Sequence, residues 1–135
     1  MDNFNLISII GNTATGKTKL AVRLAEEINS EIISADSRQV YKGMDLGTGK
    51  DLDEYKNIPF HLIDIKDPGY EYNVFEYQQD FFKVFLDLRK KDITPIMCGV
   101  SGMYVDSVIR TYKLVRVYKN EILRERLNKL NLNEL

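Results

Sequence analysis

Residues 11–18 read Gly-Asn-Thr-Ala-Thr-Gly-Lys-Thr, a glycine-rich loop between an apolar run and an amphipathic stretch. The loop fits the pattern G-x-x-x-x-G-K-[ST], whose backbone N–H groups cradle phosphates at a helix N-terminus. The glycines let the backbone wrap around a phosphate, and Lys17 supplies a mobile positive charge. The Thr18 hydroxyl is placed to ligate a Mg²⁺ ion that bridges phosphate oxygens. The alternative is an ordinary strand-to-helix turn whose lysine faces solvent. We expect a bound di- or triphosphate, held by Gly11, Asn12, Thr13, Ala14, Thr15, Gly16, Lys17 and Thr18.

The segments around the loop predict a parallel α/β fold. The apolar residues before it indicate a buried parallel strand: Leu6, Ile7, Ile9 and Ile10. A helix is expected over about 17–29. Further strands and helices alternate, with strands near 31–34, 60–64 and 94–98 and helices near 73–91 and 101–110. This order predicts a P-loop NTPase-like three-layer fold, a parallel sheet with helices on both faces.

Composition narrows the range of functions. The chain has 135 residues, one cysteine and one histidine, Cys98 and His61. A disulfide framework, a cysteine metal cluster and a multi-histidine metal site are therefore not expected. No apolar run reaches the ~18 residues of a membrane span. The N-terminus lacks the basic region of a signal peptide, so a cytoplasmic location is expected.

The C-terminal segment differs from the rest in charge. Residues 110–135 carry seven Lys and Arg residues against three glutamates, a local charge of +4. Such a segment either attracts nucleic acid or forms a solvated helix face. A charged helix is expected near 119–130, with an apolar side that has no evident partner in the chain. We divide the chain into a P-loop α/β core, 1–112, and a basic helical extension, 113–135.

Candidate catalytic residues follow the strands, because ligands of open parallel sheets bind beyond the carboxyl ends. Asp36 follows the second strand, as a metal carboxylate, a general base or a helix N-cap. Asp64 is either a metal ligand or the end of a strand. Ser101 begins a helix, where capping is the commonest role of serine. His61 lies in an apolar strand, which favours a structural histidine over a catalytic one.

Residues 31–50, EIISADSRQVYKGMDLGTGK, closely resemble the signature of the tRNA dimethylallyltransferases, also called tRNA isopentenyltransferases. Further resemblances follow in order: the phosphate loop, HLID at 61–64, NVFEYQ at 73–78 and GVSGMY at 99–104. Leu123, Arg124 and Leu127 look like the next stretch of the family, L-R-x-x-L. The resemblance covers essentially the whole chain.

The resemblance implies transfer of a dimethylallyl group from dimethylallyl diphosphate to the exocyclic amine of the adenosine 3′ of a tRNA anticodon. Lys17, the loop amides and Mg²⁺ on Thr18 would then stabilise the departing diphosphate. Asp36 would accept the proton of the amine. A flipped adenine in the anticodon loop is the expected geometry. By analogy, the tRNA contacts are Asp36, Ser37, Arg38, Gln39, Ser101 and Arg124.

The chain also departs from this family. Ser101 stands in place of a threonine, and Val100 replaces a glycine, which would strain the backbone if that position needs a positive φ. The family is about twice as long, so this chain is a fragment, a split subunit or a shortened homologue, and a second chain could supply the missing half. The alternatives are prenylation of free adenine nucleotides, a small P-loop kinase, and a nucleotide- or RNA-binding module without catalysis.

Overall fold

Four parallel strands form the central sheet. The structure, a computed structural model, describes residues 4–50, 52–131 and 134. Within them the strands run in the order β1-β4-β2-β3, and every neighbouring pair is parallel. Their bounds are Ile7–Ile10 for β1, Ile32–Ala35 for β2, Phe60–His61 for β3 and Ile96–Gly99 for β4. All carboxyl ends therefore lie at one edge of the sheet, which is where ligands of such sheets bind.

Helices connect the strands as the sequence predicted. They are α1 (Lys17–Ile28), α2 (Val74–Lys90), α3 (Gly102–Ile109) and α4 (Glu121–Leu127), with a short 3₁₀ helix at Leu52–Tyr55. The long helix α2 begins after Asn73, whose side-chain oxygen accepts a hydrogen bond from the Glu76 N–H at 3.0 Å. This cap satisfies one of the free N–H groups of the first turn, which explains why the helix starts there.

The helices cover both faces of the sheet. Ile33, Ala35 and Met97 pack in one apolar cluster with buried side chains of α2 and α3. The alternate residues of the same strands, among them Ile32, Ile96 and Cys98, pack in a second cluster with α1. Side chains of a strand point alternately to opposite faces, so the two clusters are the two filled layers. The predicted three-layer α/β fold is confirmed.

Two strand predictions need correction. The third strand was expected over 60–64, but its pairing ends at His61 because Leu62 and Asp64 adopt positive φ angles of 63° and 54°. The first strand was expected to be buried, but β1 pairs only with β4 among the described strands. Ile10 is consequently 52% exposed. A strand's burial depends on its neighbours, which its own apolar pattern cannot specify.

The C-terminal helix α4 is shorter than expected and contains no buried residue. Ile122 is 84% exposed, as the prediction of an unpartnered apolar side requires. The division into 1–112 and 113–135 stays a prediction, and both ranges include residues outside the described part. Within residues 4–50, 52–131 and 134, no helix has the length and apolar character needed to cross a membrane.

Candidate active site

The glycine-rich loop forms a tight coil between β1 and α1. Ala14 and Gly16 have left-handed φ angles of 62° and 82°, and Gly16 is the N-cap residue of α1. The Thr15 hydroxyl donates a hydrogen bond to the Asn12 carbonyl at 2.8 Å, and the Lys17 ammonium donates to the same oxygen. Lys17 therefore folds back over the loop at the positive end of the helix, where a phosphate is electrostatically favoured.

A cavity of about 640 Å³ opens beside this loop at the carboxyl edge of the sheet. Its lining brings together segments that are far apart in the sequence: the loop and the start of α1, the end of β2, a glycine-rich segment, the 3₁₀ helix and the end of β4. The described lining residues are 13–19, Asp36, Gln39, 45–50, Glu54, Tyr55 and 98–100. The cavity has the size of a small-ligand site.

Asp36 makes a local turn bond and lies in the cavity lining. Its Oδ1 accepts a hydrogen bond from the Arg38 N–H at 2.9 Å, a local turn bond. The residue also lines the same cavity as the phosphate loop. Within the described part of the chain, its second carboxylate oxygen has no hydrogen-bond partner. The local bond orients the carboxylate and leaves one oxygen able to accept a proton.

Ser101 lies beside Ser37, the residue that follows Asp36, although the two serines are 64 positions apart in the sequence. Its Oγ accepts a hydrogen bond from the Ser37 N–H at 2.8 Å and donates to Ser37 Oγ at 3.2 Å. Ser101 is the N-cap residue of α3, but its side chain makes no capping bond. The expected capping role of this side chain is therefore wrong. Val100 does not adopt a positive φ, so the valine in place of glycine is not strained.

Gln39 and Arg38 have contrasting environments. The Gln39 side chain is buried, accepts a hydrogen bond from the Ser34 hydroxyl at 3.0 Å and donates to the Gly49 carbonyl at 3.3 Å. Arg38 is exposed. The Gln39 amide thus has an internal bonding role, whereas Arg38 lies at the surface.

Position 99 requires glycine, which the sequence did not predict. A Cβ atom on this residue would lie 2.3 Å from the Ala35 carbonyl oxygen, so β4 and β2 could not approach as they do. The close approach brings the end of β4 beside Asp36. Its only signal in the sequence is a glycine at the end of a predicted strand.

Asp64 is engaged in an internal ion pair. Its Oδ1 lies 2.5 Å from the Lys50 Nζ, and it does not line the cavity of the phosphate loop. Because β3 ends at His61, Asp64 does not end the strand, and its observed contact is the internal ion pair. His61 Nε2 lies 2.6 Å from Glu31 Oε2, a hydrogen-bond contact within the fold that agrees with a structural role.

Two buried side chains of the cavity lining, Cys98 and Tyr55, are uncharged near neutral pH. Burial raises the pKa of the Cys98 thiol to about 11, although Lys17 partly opposes the shift. Burial also raises the pKa of Tyr55 above its ordinary value, with the Thr18 hydroxyl acting in the opposite direction. Neither side chain is suited to act as a base at neutral pH, in contrast to the Asp36 carboxylate.

Arg124 is not brought to this cavity. It lines a second cavity, of about 510 Å³, together with residues 70–76 and 114–119. Among the described residues, the two cavities share no lining residue. Of the described residues that the sequence predicted for the site, 13–18, Asp36 and Gln39 line the first cavity and Arg124 lines the second. The others, Gly11, Asn12, Ser37, Arg38 and Ser101, line neither cavity.

The strand, phosphate loop and helix, on a parallel sheet with helices on both faces, define a P-loop NTPase-like protein. Two family models match the chain: "IPP transferase" over residues 39–135 and "Isopentenyl transferase" over residues 4–57. The chain therefore belongs to the IPP transferase family.

Named relatives agree with this assignment. The chain is 54% identical over 139 aligned positions to a tRNA dimethylallyltransferase 2 of Bacteroides fragilis, covering 100% of the chain and 45% of the relative. It is 55% identical over 134 positions to a tRNA dimethylallyltransferase 2 of Treponema denticola, covering 99% and 45%. The chain thus spans less than half the length of these curated relatives.

Solved structures give the same fold. The full-length tRNA isopentenylpyrophosphate transferase of Bacillus halodurans superposes with a TM-score of 0.79 at 40% identity, over 91% of this chain and 41% of that one. A eukaryotic dimethylallyltransferase acting on tRNA superposes with a TM-score of 0.70 at 29% identity, over 91% and 31%.

Proposed function

We propose that the chain is the donor-binding half of a tRNA dimethylallyltransferase. It would take part in transferring the dimethylallyl group of dimethylallyl diphosphate to the exocyclic amine of the adenosine 3′ of a tRNA anticodon. One observation carries the proposal: the phosphate loop and the Asp36 carboxylate line a single cavity. The names of the relatives, which are tRNA dimethylallyltransferases, support it.

The phosphate loop holds the leaving group in this proposal. The Lys17 ammonium, which bonds to the Asn12 carbonyl, would turn to the phosphate oxygens, and the amides at the start of α1 would donate to them. Charge that develops on the departing diphosphate is then stabilised where the helix dipole and the ammonium meet. Hydrolysis of a nucleotide is not needed.

Asp36 is the general base. The amine nitrogen of adenosine attacks the allylic carbon, the bond from that carbon to the diphosphate oxygen breaks, and the diphosphate leaves with the electron pair. The Asp36 carboxylate takes the proton that the amine loses. The Arg38 N–H bond to Oδ1 holds the carboxylate in place, so the other oxygen is the acceptor.

The residues present fit a Mg²⁺ ion held chiefly by the donor. Within the described residues, no group of three His, Cys, Asp or Glu side chains could hold a metal ion. Mg²⁺ commonly keeps several waters and takes one or two protein ligands besides phosphate oxygens, and Thr18 lines the cavity at the start of α1. When bound there, the ion would neutralise charge on the diphosphate.

The tRNA would approach the cavity beside Asp36, next to the bonded pair of Ser37 and Ser101. Ser37, Arg38 and Ser101 are the proposed contacts around a flipped adenine, and the exposed Arg38 is suited to a phosphate of the backbone. Arg124, in the second cavity, would contact the tRNA at a distance from the reacting base. Gln39 would support the Asp36 segment through its internal bonds. A tRNA substrate also implies a cytoplasmic location.

Transfer assays test the proposal. The chain is incubated with dimethylallyl diphosphate labelled in its prenyl group, together with an unmodified tRNA or with AMP. Label in tRNA supports the proposal, and label in AMP would assign the chain to prenylation of free adenine nucleotides. Binding of the donor without transfer to either acceptor would contradict transfer by this chain alone. Because the relatives are more than twice as long, the same assay with a second chain tests whether a separate half is required.

A further inference from the structure

The buried ammonium of Lys50 occupies a cage of three oxygen atoms. Its side chain is 0% exposed, and Nζ lies 2.8 Å from the Tyr41 carbonyl, 3.0 Å from Asp45 Oδ1 and 2.5 Å from Asp64 Oδ1. An ammonium group has three N–H donors, so every donor has an acceptor. A buried charge with all its hydrogen bonds made is a specific arrangement, because losing one partner leaves the others uncompensated.

The electrostatics keep Lys50 charged. Burial lowers the pKa of the ammonium, but hydrogen bonds and charge from Asp64 and Asp45 outweigh this effect, so the pKa lies above its ordinary value. The cage is therefore an ion triad at neutral pH. Its two carboxylates come from different places, Asp45 from the glycine-rich segment and Asp64 from the loop that follows β3.

The cage connects one wall of the active-site cavity to Asp64, which lies outside that wall. Residues 41–50, here called the wall segment, contain Tyr41, Asp45 and Lys50, and residues 45–50 of it line the cavity. Gly43, Gly47 and Gly49 adopt positive φ angles, so the segment is irregular and has no strand or helix of its own. Such a segment needs side-chain bonds to hold one conformation.

The same segment is bonded to the neighbours of Asp36. The Gly49 carbonyl accepts from the Gln39 amide, and the Gln39 carbonyl accepts from the Asp64 N–H at 3.0 Å. Lys50 thus closes a ring of contacts that runs from the wall segment through Asp64 to the residues following Asp36. Loss of the Lys50 hydrogen bonds would increase the mobility of the wall segment. It would also increase the mobility of the end of β2, which precedes the proposed base Asp36.

We propose that Lys50 is a positioning residue that fixes the wall segment in the cavity it shares with the phosphate loop, so that the cavity is preformed for a diphosphate. This inference rests on the proposed function for its substrate class. Its own test uses inorganic pyrophosphate and therefore needs no transfer reaction.

The test compares Lys50→Met with Lys42→Met. Lys42 is a matched control, because it lies in the same segment but makes a single ion pair with Asp67 at an exposed site. We expect Lys50→Met to weaken pyrophosphate binding by about tenfold, whereas the control changes it little. Amide hydrogen exchange should accelerate in residues 43–49 and stay unchanged in α1 and α2.

A purely structural role predicts a different result. Lys50→Met would then lower the melting temperature, and pyrophosphate affinity and exchange in 43–49 would match the wild-type chain; this outcome overturns the proposal. If Lys50→Met does not fold, Asp64→Asn takes its place. Asparagine tolerates the positive φ of this position and keeps an acceptor oxygen while removing the charge. It should accelerate exchange in the same residues, and unchanged exchange would contradict the proposal even if the chain binds no phosphate.

Discussion

Two regions of the molecule differ in how far their apolar side chains are buried. One is the sheet with α1 to α3, and the other is the C-terminal segment, residues 113–131. The first region encloses a core of apolar side chains, in which Phe81 is 0% exposed. In the second, Val115, Val117, Tyr118 and Ile122 are all largely exposed, and α4 buries none of its residues. Exposed apolar side chains in such number indicate a surface that packs on something else. The difference separates an enclosed core from a segment whose apolar side chains lie exposed.

Truncating a core side chain should give the largest effect on stability. Phe81→Ala removes a fully buried ring and is expected to lower the free energy of unfolding by about 3–5 kcal/mol. Ile122→Ala, in α4, should change it by less than about 0.5 kcal/mol. Urea denaturation of both variants measures the contrast. Equal losses in the two variants would contradict the distinction between the regions.

Gly99 tests the close approach of two strands within the core. Gly99→Ala should destabilise the chain by about 3 kcal/mol, because the added Cβ would meet the Ala35 carbonyl. Gly102→Ala is the matched control, since a Cβ there meets no atom within 4 Å. We expect it to be neutral or slightly stabilising by helix propensity. Thermal and urea unfolding check both, and a stable Gly99→Ala chain would show that the strands can separate.

The Cys98 thiol gives the core a pH dependence that the C-terminal segment, without cysteine, lacks. Its folded pKa of about 11 exceeds its ordinary value of 9.0, so the unfolded chain loses this proton first as pH rises. The contribution to stability is therefore complete below pH 9 and is lost as pH rises toward 11, by roughly 2–3 kcal/mol. Comparing the pH dependence of unfolding in wild type and Cys98→Ala isolates it. Parallel pH profiles would contradict the buried environment of the thiol.

Tyr77 gives the smallest expected effect. Its hydroxyl is buried and has no hydrogen-bond partner among the described residues, although the ring stacks on Tyr104 with centroids 3.9 Å apart. Tyr77→Phe removes the unsatisfied hydroxyl and keeps the ring, so stability should be unchanged or rise by about 1 kcal/mol. A clear loss of stability in calorimetry would mean that the hydroxyl is bonded after all.

The sequence predicted what depends on local spacing. The loop from Gly11 to Thr18, the starts of the helices and the position of Asp36 after β2 all follow from short patterns, and the structure agrees with them. The sequence could not predict features that depend on residues distant along the chain. The exposure of β1 depends on which strands flank it. The early end of β3 depends on two positive φ angles. The burial of Lys50 depends on carboxylates that lie 5 and 14 residues away in the sequence.

Ser101 illustrates the same limit within the site. Its place at the start of a helix favoured capping, whereas its hydroxyl bonds to Ser37, which only the parallel pairing of β2 and β4 brings near. The family resemblance supplied its proposed role, and the geometry adds the contact that places it beside Asp36. Arg124 shows the converse, since its motif matches the family but it lines a different cavity from the proposed base.

The central claim is that the phosphate loop binds the donor while Asp36 removes a proton from the acceptor. The most direct test measures donor binding and prenyl transfer to unmodified tRNA in Asp36→Asn, with the second half of the protein supplied if transfer requires it. We predict that the variant binds dimethylallyl diphosphate about as tightly as wild type and transfers it about 10²–10⁴-fold more slowly. Unchanged turnover in Asp36→Asn would contradict the account.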